Sequence, residues 1–299
     1  MRMMDFGGVF APVPTPFDED GRLDLGRFRA AFARWLASPL EGFVVLGTTG
    51  EAPLVDDDES ERIIAAARDQ IPRDHRFIVG CGRESTRATV QAAVRVADLG
   101  ADAVLVRTPG FFRCQMTDEA FAQHYTNVAD GSPVPVLLYN FAAVTGVDLS
   151  PSTVSRLASH PNVIGMKESG GDVARMKELV SVSPPGFSVL TGSGSSFHQT
   201  LLAGAAGGIL ALSCVVPDAC VRLFEMARQG RHDEARTIQE AILPLARLVG
   251  GVHGVPGLKA ALHLVGCDVG FPRAPLAPLS PEHVPALRAA LAQCQGAAV

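Results

Sequence analysis

The sequence predicts an α/β protein, a closed (β/α)8 TIM-type barrel carrying a C-terminal helical extension. Eight short apolar runs alternate with helix-patterned segments. Each run is near-continuous in hydrophobic residues, as parallel strands covered on both faces should be. The length, 299 residues, suits one α/β barrel, which needs about 250 residues before additions.

The strands are expected at Gly8–Val13, Gly42–Leu46, Phe77–Gly80, Ala103–Arg107, Val134–Tyr139, Val163–Lys167, Ser188–Thr191 and Gly208–Leu212. Helix starts are marked between them. Asp56-Asp57-Asp58-Glu59 precedes Ile63-Ile64-Ala65, Ser85 precedes Val90, Thr117 precedes Phe121, and Ser150-Pro151 precedes Val154. Such residues cap helix N-termini or complement the helix dipole there. A doubly wound open sheet is the rival architecture. It more often carries a glycine-rich nucleotide loop, and Gly192-Ser193-Gly194-Ser195-Ser196-Phe197 only begins like one. After the eighth run the pattern is helical, at Ala219–Gln229, His232–Val249, Gly257–Val265 and Pro281–Gln293. One domain is expected, with the barrel in residues 1–225 and the extension in 226–299.

Composition narrows the function classes. The net charge of −5 comes without any Lys/Arg-rich run, which disfavours nucleic acid and anionic membrane as partners. Met1 to Pro16 lacks the form of a secretory leader. Six scattered cysteines, without a C-x-x-C, read as reduced thiols of a cytoplasmic protein. Eight dispersed histidines show no ligand spacing, so neither a metal site nor another cofactor is expected.

Barrel enzymes place their chemistry at the C-terminal ends of the strands. The residues closing each run are therefore the candidates. Lysine is rare: Lys167, Lys177 and Lys259 stand against 23 arginines. Lys167 ends the apolar run Val163-Ile164-Gly165-Met166. Burial disfavours an ammonium ion, and a neutral amine can condense with a ketone to a Schiff base, which a guanidinium cannot. The alternative is a lysine paired with Glu168 or another carboxylate at a strand end. Lys177 reads as a solvated helix residue and Lys259 as structural.

Tyrosine is also rare, two against 15 phenylalanines, and Tyr139 closes strand five. A phenol beside an imine-forming lysine can shuttle protons. It can equally cap a core. The turn Gly47-Thr48-Thr49-Gly50-Glu51 offers N–H groups and two hydroxyls suited to a carboxylate.

Taken together these segments resemble the dihydrodipicolinate synthase / N-acetylneuraminate lyase family of pyruvate-dependent class I aldolases. The resemblance runs along nearly the whole chain. It includes Pro14-Thr15-Pro16-Phe17, the G-T-T-G-E turn, Thr108-Pro109, Tyr139-Asn140, Gly165-Met166-Lys167-Glu168 and the 28-residue gap from Tyr139 to Lys167. It implies Lys167 as the Schiff-base lysine, Tyr139 as the proton relay, Thr48 as its connection and Thr49, beside Gly47, as a holder of the pyruvate carboxylate. It implies that the Leu210 carbonyl faces the pyruvyl group. It also implies a homotetramer, a dimer of dimers, in which an aromatic residue from a neighbouring subunit completes the site. Ser193 and Phe112 are further candidates for contact with substrate.

Two positions depart from the synthase branch. Phe111 and Phe112 stand where that branch has tyrosines, and Val144 stands where it has a carboxylate-gripping arginine. Other stretches are similar to the 4-hydroxy-2-oxoglutarate aldolase branch: Glu41–Val45, Cys81–Val90, Phe112-Arg113, His124-Tyr125-Thr126, Lys167–Asp172 and Pro256–Lys259. That branch, too, has tyrosines at the positions of Phe111 and Phe112. The expectation is a lyase that cleaves 4-hydroxy-2-oxoglutarate to pyruvate and glyoxylate. A condensing synthase, a 2-oxo-3-deoxy sugar acid aldolase or dehydratase, and a non-catalytic 2-oxo-acid-binding barrel stay open. Arg107, ending strand four, is a candidate to hold a second carboxylate in place of the missing arginine.

Overall fold

The computed structural model describes residues 6–297. Eight parallel strands close into a barrel in sequence order: β1 Gly8–Pro12, β2 Gly42–Val45, β3 Arg76–Gly80, β4 Ala103–Arg107, β5 Val136–Asn140, β6 Val163–Glu168, β7 Ser188–Thr191 and β8 Gly207–Ile209. Helices run between them: α1 Leu25–Trp35, α2 Asp57–Gln70, α3 Thr86–Asp98, α4 Asp118–Gly131, a short α5 Ala142–Thr145, α6 Pro151–Leu157, α7 Val173–Val182 and α8 Phe197–Leu202. Then follow α9 Pro217–Arg228, α10 His232–Arg247, α11 Gly254–Leu264 and α12 Val284–Ala297. The boundary drawn from sequence at 225/226 falls inside α9. Among the described residues no helix is long and apolar enough to cross a membrane.

Local chemistry sets most boundaries. Asp56 caps α2 by accepting from the Glu59 N–H at 2.8 Å, and the Glu59 carboxylate accepts from the Asp56 N–H in return, a capping box. Ser85, Thr117 and Ser150 cap α3, α4 and α6, each side chain accepting from the N–H three residues on. Two strand ends differ from expectation by more than one residue. β5 begins at Val136 rather than Val134, because Pro135 has no N–H for the ladder. β8 stops at Ile209 rather than Leu212. There the Ser213 hydroxyl bonds the carbonyls of Leu210 (2.7 Å) and Phe10 (2.9 Å), drawing Ala211–Cys214 into a 3-10 turn.

Alternation of side chains makes two cores. Phe6, Phe10, Val44, Ile78, Leu105, Leu137, Leu190 and Ile209 fill the barrel interior, with Tyr139. The opposite faces, including Val45, Val79, Val104, Leu138 and Met166, pack under the helices. Full burial of one such side chain is worth about 1.5–3 kcal/mol. Edge-to-face rings of Phe28, Phe32, Trp35 and Phe43 pin α1 to β2. α10 packs chiefly on α12 and α9, and joins α11 through a π-helical turn, Leu248–Val252.

Candidate active site

Cross-strand register sets Arg107, Tyr139, Lys167 and Leu190 at one level near the C-terminal mouth of the barrel. Met166 belongs to the helix-facing core, so alternation turns Lys167 inward. It is 5 % exposed, and its Nζ lies 4.6 Å from the centroid of the Tyr139 ring. Among the described residues it has no carboxylate partner.

Glu168 does not pair with it. The Glu168 carboxylate accepts from the Gly170 N–H (2.7 Å), Asn140 Nδ2 (2.8 Å) and Arg175 Nε (3.0 Å). Asn140 Nδ2 also donates to Asp148, and Arg175 to the Leu149 carbonyl. The residues directly after Tyr139 and Lys167 are thus tied together on the helix-facing side, fixing both strand ends from behind.

Across the barrel, Tyr139 Oη and Thr48 Oγ1 are 2.9 Å apart. The β2 turn that carries Thr48 is bracketed by two non-glycine residues at positive φ, Leu46 (55°) and Glu51 (54°). A left-handed conformation costs roughly 1–2 kcal/mol per residue, and persists only where the surroundings over-determine it. They do so here. A Cβ at Gly80 would stand 1.9 Å from the Leu46 carbonyl oxygen, so only glycine lets β3 approach. Thr15 Oγ1 donates to the Gly50 carbonyl at 2.7 Å. Glu51 is buried and ion-paired with Lys259 at 2.6 Å. The Gly47 carbonyl accepts from the Ala52 N–H. Among the described residues the N–H groups of Thr48, Thr49 and Gly50 and the Thr49 hydroxyl have no acceptor. They form a cluster of donors able to take an anion.

Leu210 is buried, and its carbonyl accepts from the Ser213 N–H (3.0 Å) and hydroxyl (2.7 Å). Ser193 is half-buried in the turn after β7 and bonded to Ser196 at 3.1 Å. Phe112 is 65 % exposed and Phe111 78 %, the two rings meeting edge to face. Phe112 therefore lies on the surface of the single chain.

Arg107 is already engaged. Its Nη1 donates to Glu84 Oε1 at 2.7 Å. The other oxygen of Glu84 accepts from the N–H groups of Gly110 (3.0 Å) and Phe111 (2.9 Å). Burial raises the Glu84 pKa, but these hydrogen bonds and the Arg107 charge outweigh it and hold the carboxyl below its ordinary value. Glu84 thus fixes the turn that presents Phe111. Nearby, His124 Nδ1 is 2.8 Å from Thr86 Oγ1. Burial lowers its imidazole pKa to about 4, with Glu84 opposing and Arg107 reinforcing.

Sequence reasoning missed three features. The Glu51–Lys259 pair joins residues far apart in the chain, and no local signal marks it. The same holds for Glu84. Phe141, whose ring centroid lies 6.3 Å from that of Tyr139, had a signal: it lies two residues past Tyr139, just after the end of β5.

Comparison with known proteins agrees with this geometry. Residues 5–294 match the Dihydrodipicolinate synthetase family. A 4-hydroxy-tetrahydrodipicolinate synthase of Exiguobacterium sp. is 37 % identical over 92 % of this chain and 93 % of its own. A probable mitochondrial 4-hydroxy-2-oxoglutarate aldolase of Emericella nidulans is 35 % identical over 96 % and 94 %. The crystal structure of a dihydrodipicolinate synthase from Acinetobacter baumannii complexed with pyruvate superposes with a TM-score of 0.92, at 30 % identity, covering 97 % of this chain and 99 % of that one. A match along nearly the whole length, on the same closed barrel, makes the chain a member of the dihydrodipicolinate synthetase family and an enzyme of the class I aldolase type.

Proposed function

We propose that Lys167 forms a Schiff base with C2 of a 2-oxo acid, and that the chain cleaves a 4-hydroxy-2-oxo acid to pyruvate and an aldehyde. The observation that carries this reading is a buried lysine without a carboxylate partner, set against the ring of a tyrosine whose hydroxyl meets Thr48. The neutral amine attacks the ketone, and loss of water gives the imine. Tyr139, with Thr48, takes the proton from the C4 hydroxyl. The C3–C4 bond then breaks, its electron pair passes into the imine as an enamine, and the aldehyde leaves. Protonation at C3 and hydrolysis release pyruvate and restore Lys167. The free N–H groups and hydroxyl of Thr48 and Thr49 suit the C1 carboxylate.

Glyoxylate as the aldehyde, with 4-hydroxy-2-oxoglutarate as substrate, is the finer reading favoured by the aldolase-like stretches and by the Emericella relative. The names of the synthase relatives favour condensation, the same steps in reverse on another aldehyde. Val144, apolar and 57 % exposed, offers no grip for the second carboxylate of such a partner. A homotetramer goes with this proposal, and the exposed Phe111 and Phe112 support a protein contact there. The six free cysteines are compatible with a cytoplasmic setting.

The test is reductive trapping. Incubation with pyruvate and borohydride should add a reduced pyruvyl group to Lys167, mapped by mass spectrometry. An adduct on Lys177 or Lys259, or none, would remove the Schiff-base reading. Pyruvate release across a panel of 4-hydroxy-2-oxo acids then ranks the aldehydes.

A further inference from the structure

The apolar interior continues past the tyrosine. Leu137 and Tyr139 share the inner face of β5, and Phe141, the first residue after the strand, packs on the same interior cluster while staying half-exposed. Its ring is tilted 33° to that of Tyr139, centroids 6.3 Å apart. The Phe141 carbonyl accepts from the N–H groups of Val144 (2.9 Å) and Thr145 (3.0 Å), which fixes the turn and with it the ring. Schiff-base chemistry has no use for this ring, yet it stands beside the phenol that must reach the aldehyde oxygen.

That requirement locates the aldehyde half. A proton relay works at about 2.6–3.2 Å between heavy atoms. The aldehyde carbon is one bond further away, so its substituent lies among the neighbours of the phenol. On the mouth side that neighbour is Phe141. The cations close to this level are already neutralised: Arg107 by Glu84, and Arg175 by Glu168 and Asp148. Arg113 lies against Gly146, the C-cap of the short helix α5, its Cζ 2.8 Å from where a Cβ there would stand. A carboxylate placed against an aromatic wall without a cation is costly, whereas an alkyl or aryl group there is stabilised by burial.

We infer that Phe141 forms the apolar wall of the aldehyde subsite, and that the site selects an aldehyde bearing an uncharged alkyl or aryl group over an anionic one. The inference rests on the Schiff-base reading and departs from its glyoxylate version in the identity of the aldehyde alone.

The experiment compares pyruvate release from 4-hydroxy-2-oxohexanoate, which yields propanal, and from 4-hydroxy-2-oxoglutarate, which yields glyoxylate. The wild-type protein should show a kcat/KM at least about tenfold higher on the former, within the range one hydrophobic contact can supply. Phe141→Ala should lower that value about 10–100-fold and change the value for the dicarboxylic substrate about threefold or less, narrowing the ratio. Phe141→Leu should fall between, and both variants should still form the trapped pyruvate adduct, which shows that they fold. Preference for 4-hydroxy-2-oxoglutarate in the wild type, or equal losses on both substrates in Phe141→Ala, overturns this inference and leaves the Schiff base standing. Absence of any adduct in the wild type takes down both.

Discussion

The surroundings of Lys259 and those of Lys167 pose the same physical problem and solve it differently. Both lysines are buried, at 2 % and 5 % exposure. Around Lys259 the protein supplies all that an ammonium needs. Glu51 lies at 2.6 Å, the carbonyls of Thr15 and Phe271 accept at 2.7 and 2.6 Å, and the Phe17 ring lies 4.9 Å away. Around Lys167 there is the Tyr139 ring, and the nearest acid in sequence is bound to Arg175. A buried charge without a partner is costly. A chain that uses arginine almost everywhere else has kept a lysine at that position, where a neutral amine is chemically useful and a guanidinium is not. The contrast separates a lysine tied into the fold from the one proposed to carry the chemistry.

The sharpest way to break the contrast is Lys167→Arg. It keeps a long basic side chain and removes the nucleophile, so turnover should fall roughly 10⁴-fold or more, with no borohydride adduct. Lys259→Arg, a change at the other pole, should still give the adduct at Lys167 if it folds. Steady-state rates of pyruvate release decide, and a Lys167→Arg protein of near-normal activity would end the comparison.

Next in size is the phenol. Tyr139→Phe keeps the ring beneath Lys167 and loses only the hydroxyl that meets Thr48. The expected loss in kcat is about 10²–10⁴-fold, the range for a missing acid–base group. Imine formation with pyruvate, followed by trapping, should slow but persist. Unchanged kcat would remove Tyr139 from the proton path.

How much of this was legible in the sequence follows from the range of the interactions. The strands were legible because burial on both faces writes continuous apolar runs. The helix starts were legible because Asp56, Ser85, Thr117 and Ser150 act within one turn. Lys167 and Tyr139 stood out because they are rare types at strand ends. The partners were not legible. Glu51 meets Lys259, Glu84 meets Arg107, and Glu168 is taken by Arg175 rather than Lys167; each depends on which loops the closed barrel brings together. Arg107 shows the cost of that blindness. Its position at the rim was read correctly, and its neutralisation by a neighbouring loop could not be.

Stability separates the two lysines a second time. Lys259→Met leaves the Glu51 carboxylate buried without its counter-ion, and breaking such a pair costs about 3–5 kcal/mol. The strained β2 turn should loosen with it, so the pyruvate concentration needed for half-maximal trapping should rise in whatever protein folds. Lys167→Met removes a buried amine that has no ion-pair partner, and should be neutral or stabilising. Urea unfolding of both variants measures the difference. A Lys167→Met protein as unstable as Lys259→Met would mean that Lys167 also holds the fold, and the two environments would no longer be distinct in kind.

A third buried base offers the smallest effect. His124 is 6 % exposed and has the Thr86 hydroxyl for company. It gives up its proton instead of acquiring a carboxylate. Burial, only partly opposed by Glu84, moves its pKa from 6.5 to about 4. Between those values the unfolded chain binds more protons than the folded one, so stability rises with pH across that window. The contribution is complete above the unfolded value near 6.5 and is lost as pH falls toward 4. Taking the protein from pH 7 to pH 5 should therefore cost about 2 kcal/mol through this one residue. His124→Gln cannot titrate and should lack that component, so its urea midpoint should depend less on pH than the wild type's by the corresponding amount. Equal pH dependence in the two proteins would show that His124 is solvated or paired on folding. A buried base on α4 would then have met its desolvation cost as Lys259 does, with a partner, and not by losing its proton.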